Sequence, residues 1–206
     1  MPDCFALLNE PRRPWVEPQQ IQSRFIALSA GVHPDRVHDA RPEEKAKANQ
    51  RFAELNAAFQ CLRSSKHRAR HLLELERGAR PDQLEYLTAS ETDQFFHIGQ
   101  LCKSVDQFLQ DKATANSPLL RVRFFEQAMV WRDQLEEVQT ALNAALAELE
   151  CELMKLNDAW AVAPPIGTPE RAGALPLDRL EQLYRRLSYH ARWLSQVQDR
   201  ILQLSL

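Results

Sequence analysis

The stretch Ser29-Ala30-Gly31-Val32-His33-Pro34-Asp35-Arg36 separates two segments that both have the apolar spacing of a helix. Proline disfavours the helical region for the residue before it, so the first of those helices should end at or just before His33. Pro34 fixes its own φ and has no backbone N–H, which stiffens an exposed loop. What remains is a rigid turn presenting an imidazole and a carboxylate to solvent. No catalytic framework surrounds it, so it reads as a contact site, and its flanks must say for what.

Upstream, Pro18 suits a first helical turn, and Ile21, Phe25, Leu28 and Val32 follow at i, i+4, i+7 and i+11 as one apolar stripe. Downstream, Pro42-Glu43-Glu44 restarts a helix with proline and acids where the N-terminal dipole favours them. Phe52, Leu55, Phe59 and Leu62 then recur at steps of three and four. Two helices with one stripe each bury those stripes against each other, which puts the turn at the tip of an antiparallel hairpin. Ahead of the hairpin, Asp3 to Leu8 reads as a short helix. Pro11, Pro14 and Pro18 make the next segment extended, with Trp15 as its expected anchor. Behind it, Ser64-Ser65 caps a helix from Lys66 to Glu76, Gly78 ends it, and Ala79-Arg80-Pro81 begins a linker.

The second half repeats the helical pattern. Phe95, Ile98, Cys102, Val105 and Leu109 form one stripe. Trp131, Leu135, Val138, Leu142, Ala145, Leu149, Leu153, Leu156 and Trp160 form a second. The proline-rich run Ala163-Pro164-Pro165-Ile166-Gly167-Thr168-Pro169 cannot be helix and reads as a flexible connection over about residues 161–176. Leu180, Leu183, Leu187, His190, Leu194, Val197, Ile201 and Leu204 form the last stripe, with His190 as a packing residue in the seam. The expected fold is all-α. A hairpin domain over residues 1–77 and a linker over 78–91 precede an elongated antiparallel three-helix bundle over 92–206. Off the first stripe, Phe96, Gly99, Gln100, Lys103 and Gln107 climb a different face of their helix, and Tyr189 sits beside the seam of the last one.

Bulk chemistry narrows the function. A chain of 206 residues with a net charge of −2 gives no electrostatic case for nucleic acid or an anionic membrane as partner. No apolar run approaches the roughly 20 residues of a membrane helix, and the N-terminus lacks a secretory pattern, so a cytoplasmic protein is expected. The four cysteines (Cys4, Cys61, Cys102, Cys151) are scattered without a C-x-x-C pair and read as small buried thiols. No metal site and no cofactor is expected. An enzyme would need a nucleophile and base brought together in a pocket, which slender helical bundles do not offer.

The short helix, the hairpin tipped by His33-Pro34-Asp35 and the run Phe52-Ala53-Glu54-Leu55-Asn56-Ala57-Ala58-Phe59 together resemble the J domain of the DnaJ family. The stretch Lys66-His67-Arg68-Ala69-Arg70-His71-Leu72-Leu73-Glu74-Leu75 is similar to the Arg-Ala-x-x-Leu-Leu segment that closes the J domain in the HscB (Hsc20, Jac) subfamily. Members of that subfamily join a J domain to a C-terminal helical bundle and act in iron–sulfur cluster assembly. The resemblance implies a co-chaperone that engages an Hsp70-class chaperone, HscA-like or DnaK-like, and promotes its ATP hydrolysis. In that role Asp35 accepts a charge-assisted bond from an arginine of the chaperone and His33 supplies a hydrogen bond. Pro34 holds the loop's shape, and Arg24 and Arg36 provide long-range attraction.

Phe95-Phe96-His97-Ile98-Gly99-Gln100-Leu101 falls where HscB proteins have the motif that binds the iron–sulfur scaffold IscU. Arg185-Arg186-Leu187-Ser188-Tyr189 resembles a segment of their last helix that joins the contact. Carried over, the client-binding candidates are Phe95, Phe96, Gly99, Gln100, Lys103, Gln107 and Tyr189. A second register, Phe124-Phe125 with Trp131 to Glu137, has the better acidic match but leaves Thr92 to Asp111 as an extra helix. Gln100, Lys103 and Gln107 stand where the family has acids, Arg24 is the one firm cation of its helix, and the proline-rich connection has no counterpart. These departures keep open a J-domain adaptor that recruits another client.

Overall fold

The computed structural model of the chain describes residues 2–32, 41–79, 88–114 and 118–205. Every regular element among them is helical: α1 (Cys4–Leu7), α2 (Pro18–Ser29), α3 (Pro42–Arg63), α4 (Ser65–Arg77), α5 (Ala89–Ala113), α6 (Pro118–Ala161), α7 (Glu170–Ala174) and α8 (Leu177–Ser205). The helices start where the sequence supplies caps. Asp3 accepts from the backbone N–H groups of Phe5 and Ala6 at the head of α1. Pro18 and Pro42 open α2 and α3, Ser64 caps α4, and Thr88 with Glu91 makes a capping box on α5. Gly78 ends α4 at φ 72°, a left-handed cap that a side chain would strain, and its N–H reaches the Glu74 carbonyl.

The residues group into two compact units, neither of them continuous in sequence: 1–83 with 150–184, and 84–149 with 185–206. Residues 80–87 of the expected linker lie outside the described residues, and α6 and α8 contribute to both units.

In the first unit α2 and α3 pair through their aromatic stripes. Phe25 stacks on Phe59 with ring centroids 4.7 Å apart and tilts against Phe52 at 6.3 Å. Ile21, Leu55, Ala58 and Leu62, on the same two helices, are buried. The Arg-Ala-x-x-Leu-Leu segment has a packing explanation. Arg68, only 2% exposed, donates from Nε to the Pro14 carbonyl at 2.8 Å and from Nη1 to the Leu62 carbonyl at 2.6 Å. It thereby pins the extended segment to the end of α3, while Ala69, Leu72 and Leu73 fill the core. Burial pulls the pKa of Arg68 down to about 10, and its backbone acceptors satisfy the charge there.

Two expectations need correction. The extended segment is anchored by Val16 and Pro14, which are buried, whereas Trp15 is half-buried. Trp15 is held by its backbone, with N–H and C=O both 2.9 Å from the Asn157 side-chain amide. The proline-rich connection is not structureless either, because it folds the short helix α7 around a buried arginine. Arg171 binds both oxygens of Glu76 on α4, at 2.8 and 2.9 Å, and the Pro164 carbonyl at 2.6 Å. A hydrogen-bonded pair can hold a segment that its apolar content would not.

In the second unit α5 runs parallel to α8 and antiparallel to α6. Glu91, Phe95 and Asp106 meet Arg186, Tyr189 and Arg200 in ascending order, whereas Phe108 meets Phe124 and Trp131. Phe95, Ile98, Cys102, Val105, Phe108, Leu135, Leu142 and Val197 form its core. Phe108 is buried where the spacing favoured Leu109, which is half-buried.

Candidate functional site

The turn residues His33, Pro34, Asp35 and Arg36 lie outside the described residues. Their flanks are described. Ala30 closes α2 with its N–H on the Ile26 carbonyl, and Arg41 enters α3 with its N–H on the Glu44 carboxylate at 3.3 Å. The exposed face of α2 presents Gln22, Ser23, Arg24, Ile26 and Ala27. Arg24 is not a free cation: its Nε lies 3.4 Å from Glu10, a buried carboxylate that also takes two bonds from Gln20. Its field is therefore partly cancelled. Ile26, 57% exposed, is an apolar feature of that face that charge-based reading passed over.

The second candidate face lies along α5 and the facing edge of α8. Phe96, Gln100, Lys103 and Gln107 follow at i, i+4, i+7 and i+11, and all four are exposed. Phe96 stands out at 63% exposure. Phe95 does not join this face. It is 5% exposed, stacked between Tyr189 and Trp193 at 6.0 Å each and met edge-on by His190 at 5.2 Å. The helical step from Phe95 to Phe96 turns one ring inward and the next outward.

Gly99 also has a packing task. A Cβ there would lie 3.3 Å from the outer edge of the Trp193 indole, so the missing side chain lets that ring lie over α5. Tyr189 is half-buried against Phe95 and forms the border of the face. Trp193, one helical turn beyond Tyr189, was missed by motif matching; its position at i+4 from a named aromatic was the available signal. His190 packs as expected, buried, with Nδ1 2.9 Å from the Arg186 carbonyl. Glu91 binds Arg186 at 2.6 Å. Burial works against the charged carboxyl, but bonds from Thr88 and Arg186 outweigh it and hold Glu91 below the usual carboxylate range.

The alternative register shows the same split. Phe124 packs edge-on against Phe108 at 5.6 Å and is half-buried, while Phe125 is 66% exposed beside Val122 and Met129 on one side of α6. Each aromatic pair thus offers one outward ring.

Beside these faces, the fold gathers one group the spacing did not reveal: Cys4, Cys61 and His71 bring a ligand atom each to within 4.8 Å of the others. Cys4 and Cys102 are buried as expected, Cys61 is half-buried, and Cys151 is exposed on α6. Among the described residues no helix is long and apolar enough to cross a membrane.

Known proteins give these faces a context. The chain is 29% identical over 151 residues to the co-chaperone protein HscB homolog of Bordetella petrii, covering 73% of this chain and 69% of the relative. Against the homolog of Bordetella pertussis it is 28% identical over 158 residues, 75% and 74% of the two chains. Among solved structures, chaperone HscB from Vibrio cholerae matches 98% of this chain and 99% of its own, with a TM-score of 0.57 at 20% identity. Human co-chaperone HscB matches 98% and 81%, with a TM-score of 0.55 at 18% identity. At these identities the structural likeness speaks for the fold. No protein-family model matches the chain.

Proposed function

The chain belongs to the HscB family of J-domain co-chaperones, and from that premise we propose that it stimulates an Hsp70-class ATPase and delivers an IscU-type cluster scaffold to it. The supporting observation is the conjunction of His33-Pro34-Asp35 with the paired α2 and α3 between which it lies in sequence. Asp35 accepts a charge-assisted bond from an arginine on the chaperone, His33 and Pro34 shape the contact, and Arg36 adds attraction. Arg24, tied to Glu10, contributes less steering than a free cation would. The hydrolytic chemistry is the chaperone's. We place this work in the cytoplasm.

The client face is the exposed stripe Phe96, Gln100, Lys103 and Gln107, with Tyr189 at its border. Phe96 supplies the apolar anchor and the polar residues the rim, the usual division of a small interface. Phe95 and Gly99 support that face from within. Because Gln100, Lys103 and Gln107 carry no negative charge, a client other than the cluster scaffold is the competing reading.

The test is single-turnover ATP hydrolysis by the chaperone with the chain, the scaffold, or both. The chain alone should accelerate hydrolysis, and chain and scaffold together should do so more than either alone. No acceleration by the chain removes the co-chaperone mechanism; acceleration without any added effect or binding of the scaffold transfers the client role to another protein.

A further inference from the structure

We propose that Cys4, Cys61 and His71 form a binding site for a thiophilic divalent cation of the Zn²⁺ type, independent of the co-chaperone contacts. The three residues come from α1, α3 and α4, and their ligand atoms all lie within 4.8 Å of one another. Metal bonds of about 2.3 Å to sulfur and 2.0 Å to nitrogen set tetrahedral edges of roughly 3.5–3.8 Å. Closing the triangle on an ion therefore asks for at most about 1.3 Å of contraction along any edge, within reach of side-chain rotations.

The donor set selects the ion. Two sulfurs and an imidazole favour Zn²⁺-like cations over Mg²⁺ or Ca²⁺, which want oxygen. Cys4 and His71 are 6% and 1% exposed, so an ion there sits mostly out of water. Two thiolates and a dication sum to zero charge, the one combination this burial tolerates easily. Binding is balanced as two thiols and one dication giving the dithiolate complex and two released protons, with the imidazole neutral. Cys61, half-buried, leaves a side open through which an ion can enter and a water can complete the coordination.

The surroundings prepare the donors. The His71 ring is held parallel to Phe5, 14° between planes, and its Nε2 accepts the Cys4 N–H at 3.0 Å. Its Nδ1 is buried and has no hydrogen-bond partner among the described residues. With Nε2 accepting from the Cys4 N–H, Nδ1 carries the ring proton, so binding an ion costs the Cys4 N–H bond, either by freeing Nε2 or by moving the proton onto it. A bound ion would tie α1 to α3 and α4.

The experiment uses the full chain, reduced and metal-free, titrated with Co²⁺ as a spectroscopic probe. The expected result is a sulfur-to-cobalt charge-transfer band that saturates at one equivalent and is bleached by Zn²⁺. Cys61→Ser should weaken the band's apparent affinity more than tenfold, and Cys151→Ser, at the exposed cysteine outside the cluster, should leave it unchanged. Alkylation of the wild-type chain with and without Zn²⁺ gives the same answer without a variant: Cys4 and Cys61 should be protected and Cys151 should not. Absence of the band, an unchanged apparent affinity in Cys61→Ser, or equal labelling of Cys61 with and without Zn²⁺ overturns the proposal.

Discussion

The Arg171 guanidinium closes on the Glu76 carboxylate through two parallel bonds, Nε at 2.8 Å and Nη2 at 2.9 Å, with both side chains at least nine-tenths buried. The short helix α7 (Glu-Arg-Ala-Gly-Ala) has no large apolar side chain, and this pair ties it to α4. Arg171→Leu should destabilise the chain by about 3–5 kcal/mol, because Glu76 is left buried with Arg12 no nearer than 3.9 Å. Urea unfolding measures it. Glu76→Gln with Arg171→Leu should cost less than the sum of the two singles, and strict additivity would show that the pair does not couple.

Arg68 predicts a different kind of loss. Its planar fork serves the Pro14 and Leu62 carbonyls and the Ser65 hydroxyl at once. Lysine keeps the charge but cannot span those acceptors. Arg68→Lys should lower stability by about 2–3 kcal/mol through unpaired buried carbonyls, and limited proteolysis should then cut first within residues 11–17. A variant as stable and as resistant as the parent would show that the arginine is not the pin.

The Glu91–Arg186 pair gives a pH dependence. Glu91 has a lowered pKa, so the unfolded chain binds its proton more tightly than the folded one. The stability it contributes is complete above the ordinary carboxylate range and is lost as pH falls through that range toward the lowered value. Acid unfolding of Glu91→Gln should accordingly depend less steeply on pH than that of the parent. Superimposable stability–pH curves would remove this pair from the account.

Phe96 and Phe125 separate the two registers for the client face. Both are outward rings, at 63% and 66% exposure, on α5 and α6 respectively. Phe96→Ala with Tyr189→Ala should weaken scaffold binding tenfold or more and leave chaperone stimulation without client intact, while Phe125→Ala should change little. Isothermal titration with the purified scaffold reads the difference, and the reverse pattern would move the client face to α6.

Local chemistry made the elements legible. Asp3, Pro18, Pro42, Ser64 and Gly78 each act through their nearest backbone neighbours, and each sits at the helix end it marks. The stripes worked because a helix repeats its own geometry. The long-range contacts were not legible. The Arg171–Glu76 pair joins residues 95 positions apart, and nothing in a proline-rich run announces a buried arginine. Cys4 and His71, 67 positions apart, are brought together only by the packing of α1 on its neighbours. Motif matching offered Phe95 and Gly99 as contacts because it counts positions, whereas the helix turns one inward and uses the other to admit Trp193.

The most direct measurement of the central claim is single-turnover ATP hydrolysis by the Hsp70-class chaperone in the presence of Asp35→Asn. The substitution keeps the side chain's size and removes the charge that the chaperone's arginine would read. Stimulation should fall to the rate of the chaperone alone, with the thermal midpoint of the chain unchanged. A variant that folds and stimulates as well as the parent would contradict the account.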